Sequence, residues 1–202
     1  DADYSHYRLH FFEDSQYVPS IGKKTKAELT MRKPYLLTLL SLIENSHPNK
    51  DNKWVIFVDK ISSGKALLEV ITDNGISAAY FDAKTKKPPK AWKKVLTDET
   101  FDESVLIATP VIDCGINLQD PAIKNIAILC TERTTFMQLI GRKRLAPDEI
   151  IHLWVWAPPS TYFKNMSKRI VSHLELAEDL NDARKHWPSH SYKYADDVRR
   201  LW

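Results

Sequence analysis

The chain has 202 residues, of which 43% are hydrophobic and 27% charged, and its formal net charge at pH 7 is +3. This composition is typical of a globular protein and excludes an intrinsically disordered one. No apolar run approaches the roughly 20 residues that a membrane-spanning helix needs, and no signal peptide is visible. The two cysteines, Cys114 and Cys130, lack CxxC spacing, which argues against a zinc site and a disulfide framework. We therefore expect a cytoplasmic protein with no membrane partner. Because the chain opens on Asp1 and not on methionine, we also expect it to be part of a longer polypeptide.

Strand and helix patterns alternate along the first 157 residues. The apolar run "KWVIFV", residues 53–58, is typical of a strand buried on both faces, whereas "RLHFF" near the start is a weaker signal that fits a linker or an edge strand. Helical segments with capping or proline signals separate the strands. The alternation predicts βαβ units and an α/β fold with a mostly parallel sheet. The remaining strand signals are at 77–81, 104–109, 125–130 and 150–156.

The alternation stops at Pro158. The segment "MSKRIVSHLELAEDLNDARKHW" places Ile170, Leu174, Ala177 and Leu180 at helical spacing, which predicts one long amphipathic helix.

The segment that follows the strand signal at 104–109 carries polar residues. "TPVIDCGINLQD", Thr109 to Asp120, has a hydroxyl, carboxylates, a glycine and an amide just past a strand end, where parallel sheets bind ligands. Glycine lets the backbone approach a ligand, and Thr109 can donate to a phosphate oxygen or cap a short helix. An ordinary strand-to-helix turn with a glycine explains the same residues equally well.

The segment "TFMQLIGRKRL", residues 135–145, reads as an otherwise apolar helix with a basic end. Gln138 and Arg142 are four residues apart and are expected to share a helical face, with Gly141 beside them leaving room for a close approach. An arginine on a rigid helix suits bidentate recognition of phosphate oxygens. The alternative is that the basic cluster complements the negative end of the helix dipole, but this does not explain Gln138 or Gly141.

Two other segments have weaker signals. "DKISSGKA" resembles a phosphate-binding loop only superficially, because Asp59 replaces the first glycine and Ala66 follows the lysine, so Ser62 and Ser63 are interpreted as helix caps. The lysine-rich segment 84–94 can follow a phosphate backbone, and an exposed Trp92 can stack on a base. A solvated charged loop is the favoured explanation of that segment.

Three of these segments, taken in order, resemble the second RecA-like domain of a superfamily 2 helicase. "WVIFVDKISSG" resembles motif IV, "VLIATPVIDCGINL" resembles motif V, and "QLIGRKRL" resembles motif VI, whose pattern is Gln-x-x-Gly-Arg-x-x-Arg. The match spans roughly residues 53 to 157, and the ordered combination is far more specific than any one motif. It implies a RecA-like three-layer domain at 47–157, preceded by a connecting segment and helix at 1–46 and followed by a helical extension at 158–202.

The resemblance implies a nucleic-acid contact on one side of the domain. Thr109 of motif V would contact a nucleic-acid phosphate. We assign Ser62, in the motif IV loop, and Lys86 and Lys87, in the lysine-rich segment, to the same contact.

The resemblance also implies an ATP site. Gly115 and Asn117 would lie by the nucleotide, with Asn117 in the place of an aspartate that contacts the ribose and motif VI in many members. Gln138 would couple two domains, and Gly141 would lie beside the nucleotide.

Arg142 would reach the γ-phosphate as an arginine finger. The common pattern puts the second finger three residues later, which is Leu145 here, so we assign that role to Arg144.

The main hypothesis is therefore the C-terminal motor domain of an ATP-dependent helicase or translocase. ATP, with Mg²⁺ held by a missing N-terminal RecA-like domain of the same polypeptide, would be the cofactor, and a single-stranded nucleic acid, DNA rather than RNA, the partner. The chain alone is not expected to hydrolyse ATP, since it has no phosphate loop. The alternative is a non-catalytic α/β module that binds a protein partner or a nucleotide.

Overall fold

The computed structural model describes residues 5–13, 34–82, 90–110 and 117–185. Its strands are β1 (Tyr7–Phe12), β2 (Lys53–Phe57), β3 (Ala78–Phe81), β4 (Val105–Ala108), β5 (Ile123–Ile128) and β6 (Ile151–Trp156). Its helices are α1 (Pro34–Asn45), α2 (Ile61–Asp73), α3 (Lys90–Asp98), α4 (Arg133–Ile140) and α5 (Ser160–Lys185).

The six strands form one sheet in the order β1-β6-β5-β2-β4-β3, and every neighbouring pair is parallel. Parallel neighbours require crossover connections, and helices supply most of them. The predicted α/β fold with a mostly parallel sheet is therefore confirmed. All five residues of β2 are buried, as expected for a central strand made of an apolar run.

Side chains of β2 and the next residue alternate between two hydrophobic clusters, one on each face of the sheet. Trp54, Ile56 and Val58 belong to the first cluster, and Val55 and Phe57 to the second. The alternation follows from the two-residue period of a strand. The core is therefore split by the sheet into two halves.

Helices cover both faces, which gives the predicted three layers. Helices α1 and α2 bury Leu39 and Leu67 in the first cluster, and α3 and α4 bury Val95 and Leu139 in the second. Each helix contributes an apolar face to one half of the core, so its polar face is left to solvent or to ligands.

Strand β1 lies at one edge of the sheet and pairs with β6 along its whole length, from Tyr7 opposite Ile151 to Phe12 opposite Trp156. Of the two interpretations of "RLHFF", a linker or an edge strand, the edge strand is confirmed. The described residues form two compact units that divide between Ala157 and Pro158, so β1 and α1 belong to the unit that holds the sheet. The second unit contains α5. Among the described helices, none is both long and apolar enough to cross a bilayer.

The start of α2 differs from the sequence prediction. The helix begins at Ile61 after Lys60, and the Lys60 side chain makes no capping hydrogen bond. Ser62 and Ser63 therefore lie inside the first turn, and their interpretation as helix caps was wrong. Gly64 is buried in the same turn against the ring of Tyr80, so the "SSGK" segment is a packed helix and not a phosphate-binding loop.

Candidate functional site

Helix α4 ends earlier than the sequence indicated. Its last residue is Ile140, and Gly141 caps it with φ −66° and ψ −8°. The N–H of Gly141 donates to the carbonyl of Met137 (3.2 Å), and the N–H of Arg142 donates to the carbonyl of Leu139 (3.2 Å). The prediction that Gln138 and Arg142 share a helical face was therefore wrong, because the helix stops before Arg142. Gln138 is exposed on the last turn. A Cβ on Gly141 would meet nothing closer than 3.4 Å, so neither space nor backbone angle within the described chain requires a glycine there.

After the helix the chain becomes extended and pairs with the end of motif V. The N–H of Leu118 donates to the carbonyl of Arg142 (2.8 Å), and the N–H of Arg144 donates to the carbonyl of Leu118 (2.9 Å). These two bonds form a parallel bridge between Leu118 and Lys143. Residues two apart in an extended segment project to the same side. Arg142 and Arg144 therefore share one side, and Lys143 projects to the other.

Lys143 anchors this segment from inside the protein. Its Nζ donates to Oε2 of Glu149 (2.7 Å) and to the carbonyl of Arg144 (3.0 Å), and the two side chains of the ion pair are only 1% and 5% exposed. The same Glu149 oxygen accepts the N–H of Ala146 (3.1 Å), which closes the following turn. Because Lys143, the middle residue of the basic segment 142–144, is buried and paired with Glu149, this segment is not simply a charged helix end.

Arg144 contacts the motif V segment through its side chain as well. Its Nε donates to Oδ1 of Asn117 at 3.1 Å. Arg144 is exposed, while Asn117 and Arg142 are half-buried. The structure thus brings together three of the residues that the sequence assigned to one ATP site.

This group lies at the edge of the sheet where the strands begin. The hydroxyl of Tyr7 donates to the carbonyl of Ile140 (3.2 Å) at the end of α4. Tyr7 is the first residue of β1 and pairs with Ile151, the first residue of β6. Sequence reasoning directed attention to the opposite edge, where parallel strands end. The difference arises because α4 runs back along the sheet and delivers the arginines to its amino edge.

Two of the predicted nucleic-acid contacts, Thr109 and Ser62, lie at the carboxyl edge. Thr109 follows β4, its N–H donates to the carbonyl of Phe81 (3.1 Å), and the residue is only 5% exposed. Its hydroxyl is buried and has no hydrogen-bond partner among the described residues. Ser62 is exposed in the first turn after β2, which neighbours β4. The structure therefore separates these two residues from Asn117, Arg142 and Arg144.

Three of the predicted site residues, Gly115, Lys86 and Lys87, lie outside the described residues. Trp92 lies within them, but it is half-buried and its ring packs against Phe81 at 4.6 Å between centroids. The suggestion that an exposed Trp92 stacks on a base is therefore wrong.

Sequence reasoning missed Glu132, which caps α4 at the carboxyl edge. Its carboxylate accepts the backbone N–H groups of Thr134 (2.8 Å) and Thr135 (2.5 Å). Hydrogen bonds from the Thr135 hydroxyl and from these two amides lower the pKa of Glu132 to about 2. The signal was a carboxylate directly before a helical pattern, where the helix dipole favours negative charge.

The described part of the chain has no cluster of three or more His, Cys, Asp or Glu residues suited to a metal ion. The side chains of Arg142, Arg144 and Asn117 are guanidinium and amide groups, which recognise anions by hydrogen bonding and charge.

Comparison with solved structures identifies the fold. No family model matches the chain, and no curated protein sequence matches it. A structure of the C-terminal part of the Fun30 ATPase domain is 17% identical with a TM-score of 0.53, and the match covers 68% of this chain and 45% of that one. The fold is RecA-like. The RecA-like fold that the sequence predicted is thus confirmed.

Two further solved structures match with lower TM-scores. The Hef helicase domain of Pyrococcus furiosus is 18% identical with a TM-score of 0.44, and the match covers 65% of this chain and 27% of that one. T4 UvsW is 14% identical with a TM-score of 0.49, with 75% and 32% covered. This chain spans less than half the length of each of the three matched structures.

Proposed function

We propose that this chain is the C-terminal motor domain of an ATP-dependent nucleic-acid helicase or translocase. One observation carries the proposal: the bridge between Leu118 and Lys143 joins the motif V and motif VI segments and turns Arg142 and Arg144 to the same side. A helicase of this type needs its motif V and motif VI side chains to act on one nucleotide, and the RecA-like fold supports that reading.

The residues of this group fit a nucleotide triphosphate. Two guanidinium groups and the Asn117 amide offer hydrogen-bond donors for phosphate and ribose oxygens, and the exposed Gly141 adds no side chain beside them. In the proposal, Arg142 is the finger that reaches the γ-phosphate, and Arg144, held by Asn117, is the second finger.

ATP supplies the phosphoryl group whose negative charge must be stabilised during transfer, and arginine is suited to this because it stays protonated and binds oxygens in pairs. We propose that Mg²⁺ is held by an N-terminal RecA-like domain of the same polypeptide. In the proposal, Gln138, which is exposed on the last turn of α4, contacts that domain.

We further propose that a single-stranded nucleic acid, DNA rather than RNA, lies along the carboxyl edge. Thr109 offers a buried hydroxyl without a partner among the described residues, and Ser62 offers an exposed one close to the end of the neighbouring strand. Lys86 and Lys87 remain part of this proposal. Hydroxyl and lysine contacts to phosphates carry no base information, so binding should be largely independent of sequence.

The deciding experiment is Arg142→Ala in the intact protein. Because arginine fingers raise the rate of phosphoryl transfer by about 10³ to 10⁵, we expect nucleic-acid-stimulated ATP hydrolysis to fall by at least about 10³-fold. Affinity for single-stranded DNA should stay close to that of the wild type.

The matched control is Arg133→Ala, which removes an exposed arginine from the other end of α4. It should leave turnover unchanged. An Arg142→Ala protein that turns over ATP like the Arg133→Ala control would refute the proposed finger. A strand-displacement assay on the intact protein then separates a helicase from a translocase that never parts the strands.

A further inference from the structure

Helix α5 carries a row of exposed apolar side chains. Phe163, Met166, Ile170 and Leu174 are 53%, 45%, 50% and 58% exposed. Their spacing of three, four and four residues places them on one helical face. Single exposed apolar residues need no explanation, but a continuous row is typical of an interaction surface. We call these four residues the apolar stripe.

From residue 164 to residue 179, the charged residues of the same helix are ordered by sign. Six exposed charged residues occur between positions 164 and 179, the basic ones first and the acidic ones after them: Lys164, Lys168 and Arg169, then Glu175, Glu178 and Asp179. A helix dipole favours the opposite order, and no acidic residue lies in the first turn. The electrostatics of the single helix therefore do not explain the order.

We propose that α5 pairs in antiparallel orientation with α5 of a second copy of this chain. Antiparallel pairing brings the basic half of each helix against the acidic half of its partner, whereas parallel pairing would oppose like charges. The charge order is therefore what a self-complementary, two-fold symmetric helix pair requires.

One flank of the apolar stripe shows this symmetry residue by residue. Lys164, Val171 and Glu178 are seven residues apart, so they follow one another along the same side of the helix. Turning the helix end for end about Val171 exchanges the positions of Lys164 and Glu178. In the antiparallel pair, Lys164 of each copy thus faces Glu178 of the other, and the two Val171 side chains meet.

The same charges argue against other partners. A nucleic-acid backbone or an anionic membrane surface would attract the basic half of the helix and repel the acidic half. A second copy satisfies both halves at once and also covers the apolar stripe.

The experiment measures self-association of the 202-residue chain by sedimentation equilibrium at low ionic strength, where exposed charges are least screened. We expect the wild type to form dimers. Lys164→Glu and Glu178→Lys should each weaken dimerisation by roughly tenfold, because each change makes two facing pairs repulsive. The combined Lys164→Glu/Glu178→Lys variant restores opposite charges and should recover wild-type affinity. Ile170→Glu should abolish dimerisation by placing a carboxylate in the apolar stripe.

Lys65→Glu, an exposed change on α2, is the control and should leave dimerisation unchanged. Circular dichroism of each variant checks that the helices remain. A wild-type chain that stays monomeric, or a combined variant as weak as the single ones, overturns the proposal. The measurement involves no ATP or nucleic acid, so its result is independent of the proposed motor function.

Discussion

The Nε of Arg144 donates a hydrogen bond of 3.1 Å to Oδ1 of Asn117, which lies 27 residues earlier in the sequence. The two residues come from different predicted motifs, and the bridge between Leu118 and Lys143 holds their backbones side by side. Because the bond to Asn117 uses Nε, it does not occupy the two terminal nitrogens of the guanidinium, which suit bidentate phosphate recognition. Asn117 therefore sets the direction in which Arg144 presents these donors.

If Asn117 works through Arg144, their substitutions should not be additive. In the intact protein we expect Asn117→Ala to lower ATP turnover less than Arg144→Ala does. The double variant should resemble Arg144→Ala, because removing the arginine removes what Asn117 positions. Steady-state ATP hydrolysis of the four proteins measures this coupling. Independent effects that multiply in the double variant would show that Asn117 acts on something else.

The buried ion pair between Lys143 and Glu149 should matter for stability. Lys143→Met leaves the Glu149 carboxylate buried without its cation, and breaking such a pair costs about 3–5 kcal/mol. Denaturant unfolding of the chain measures the loss. The control is Lys94→Met, which removes the cation of the exposed pair with Asp102 and should hardly change the unfolding midpoint. Equal losses in both variants would contradict the anchoring role of Lys143.

Two glycines should respond differently to the same change. Gly64→Ala puts a methyl group against the ring of Tyr80 and 3.0 Å from Cγ2 of Val58, and overpacking of this kind costs about 1–3 kcal/mol. Gly141→Ala meets no atom closer than 3.4 Å and has a negative φ, so we expect stability to be unchanged or raised by up to about 1 kcal/mol. Thermal unfolding of both variants tests the pair. A destabilised Gly141→Ala chain would mean that the fold itself requires this glycine.

Thr109→Val should separate the fold from nucleic-acid binding. The buried hydroxyl has no partner among the described residues, so replacing it with a methyl group should leave stability unchanged or raise it by about 1 kcal/mol. If the hydroxyl donates to a phosphate, affinity for single-stranded DNA should fall about tenfold.

The salt dependence of that affinity is the internal control. Threonine carries no charge, so the slope of affinity against salt concentration should be the same in Thr109→Val and the wild type. Unchanged affinity in the variant would remove Thr109 from the proposed contact.

Glu132 should make α4 sensitive to acid. Hydrogen bonds hold the pKa of Glu132 at about 2 in the folded chain, below its ordinary value of 4.5. The folded state therefore binds fewer protons, and the stability that this group contributes is fully present above about pH 4.5 and is lost as the pH falls toward about pH 2. Glu132→Asn keeps a capping side chain that does not titrate. The wild type should therefore lose stability relative to the variant as the pH falls from about 4.5 toward about 2. Urea unfolding at several pH values measures this loss. A difference independent of pH would contradict the role of the charge.

Much of the fold was predictable because strand and helix patterns are local. The run at residues 53–58 became β2 because an apolar, β-branched segment is stable only when both faces are covered. The weaker segment near the start became β1 through pairing with β6, more than 140 residues away, and no local pattern indicates such a partner. The end of α4 was misjudged for the same reason, since the extended segment after Gly141 depends on its bridge to Leu118.

The sequence by itself determined the alternation of strands and helices, the parallel sheet and the residue types that can bind phosphate, because these follow from periodicity and side-chain chemistry along the chain. Only the tertiary structure decided how those residues are grouped. It placed Thr109 and the two arginines at opposite edges of the sheet, and it turned Arg142 and Arg144 to one side while burying Lys143 against Glu149. The physical reason is that a side chain's direction after a helix ends depends on which distant backbone it pairs with. In this chain that partner is Leu118, and it leaves two arginines spaced two apart on the same side.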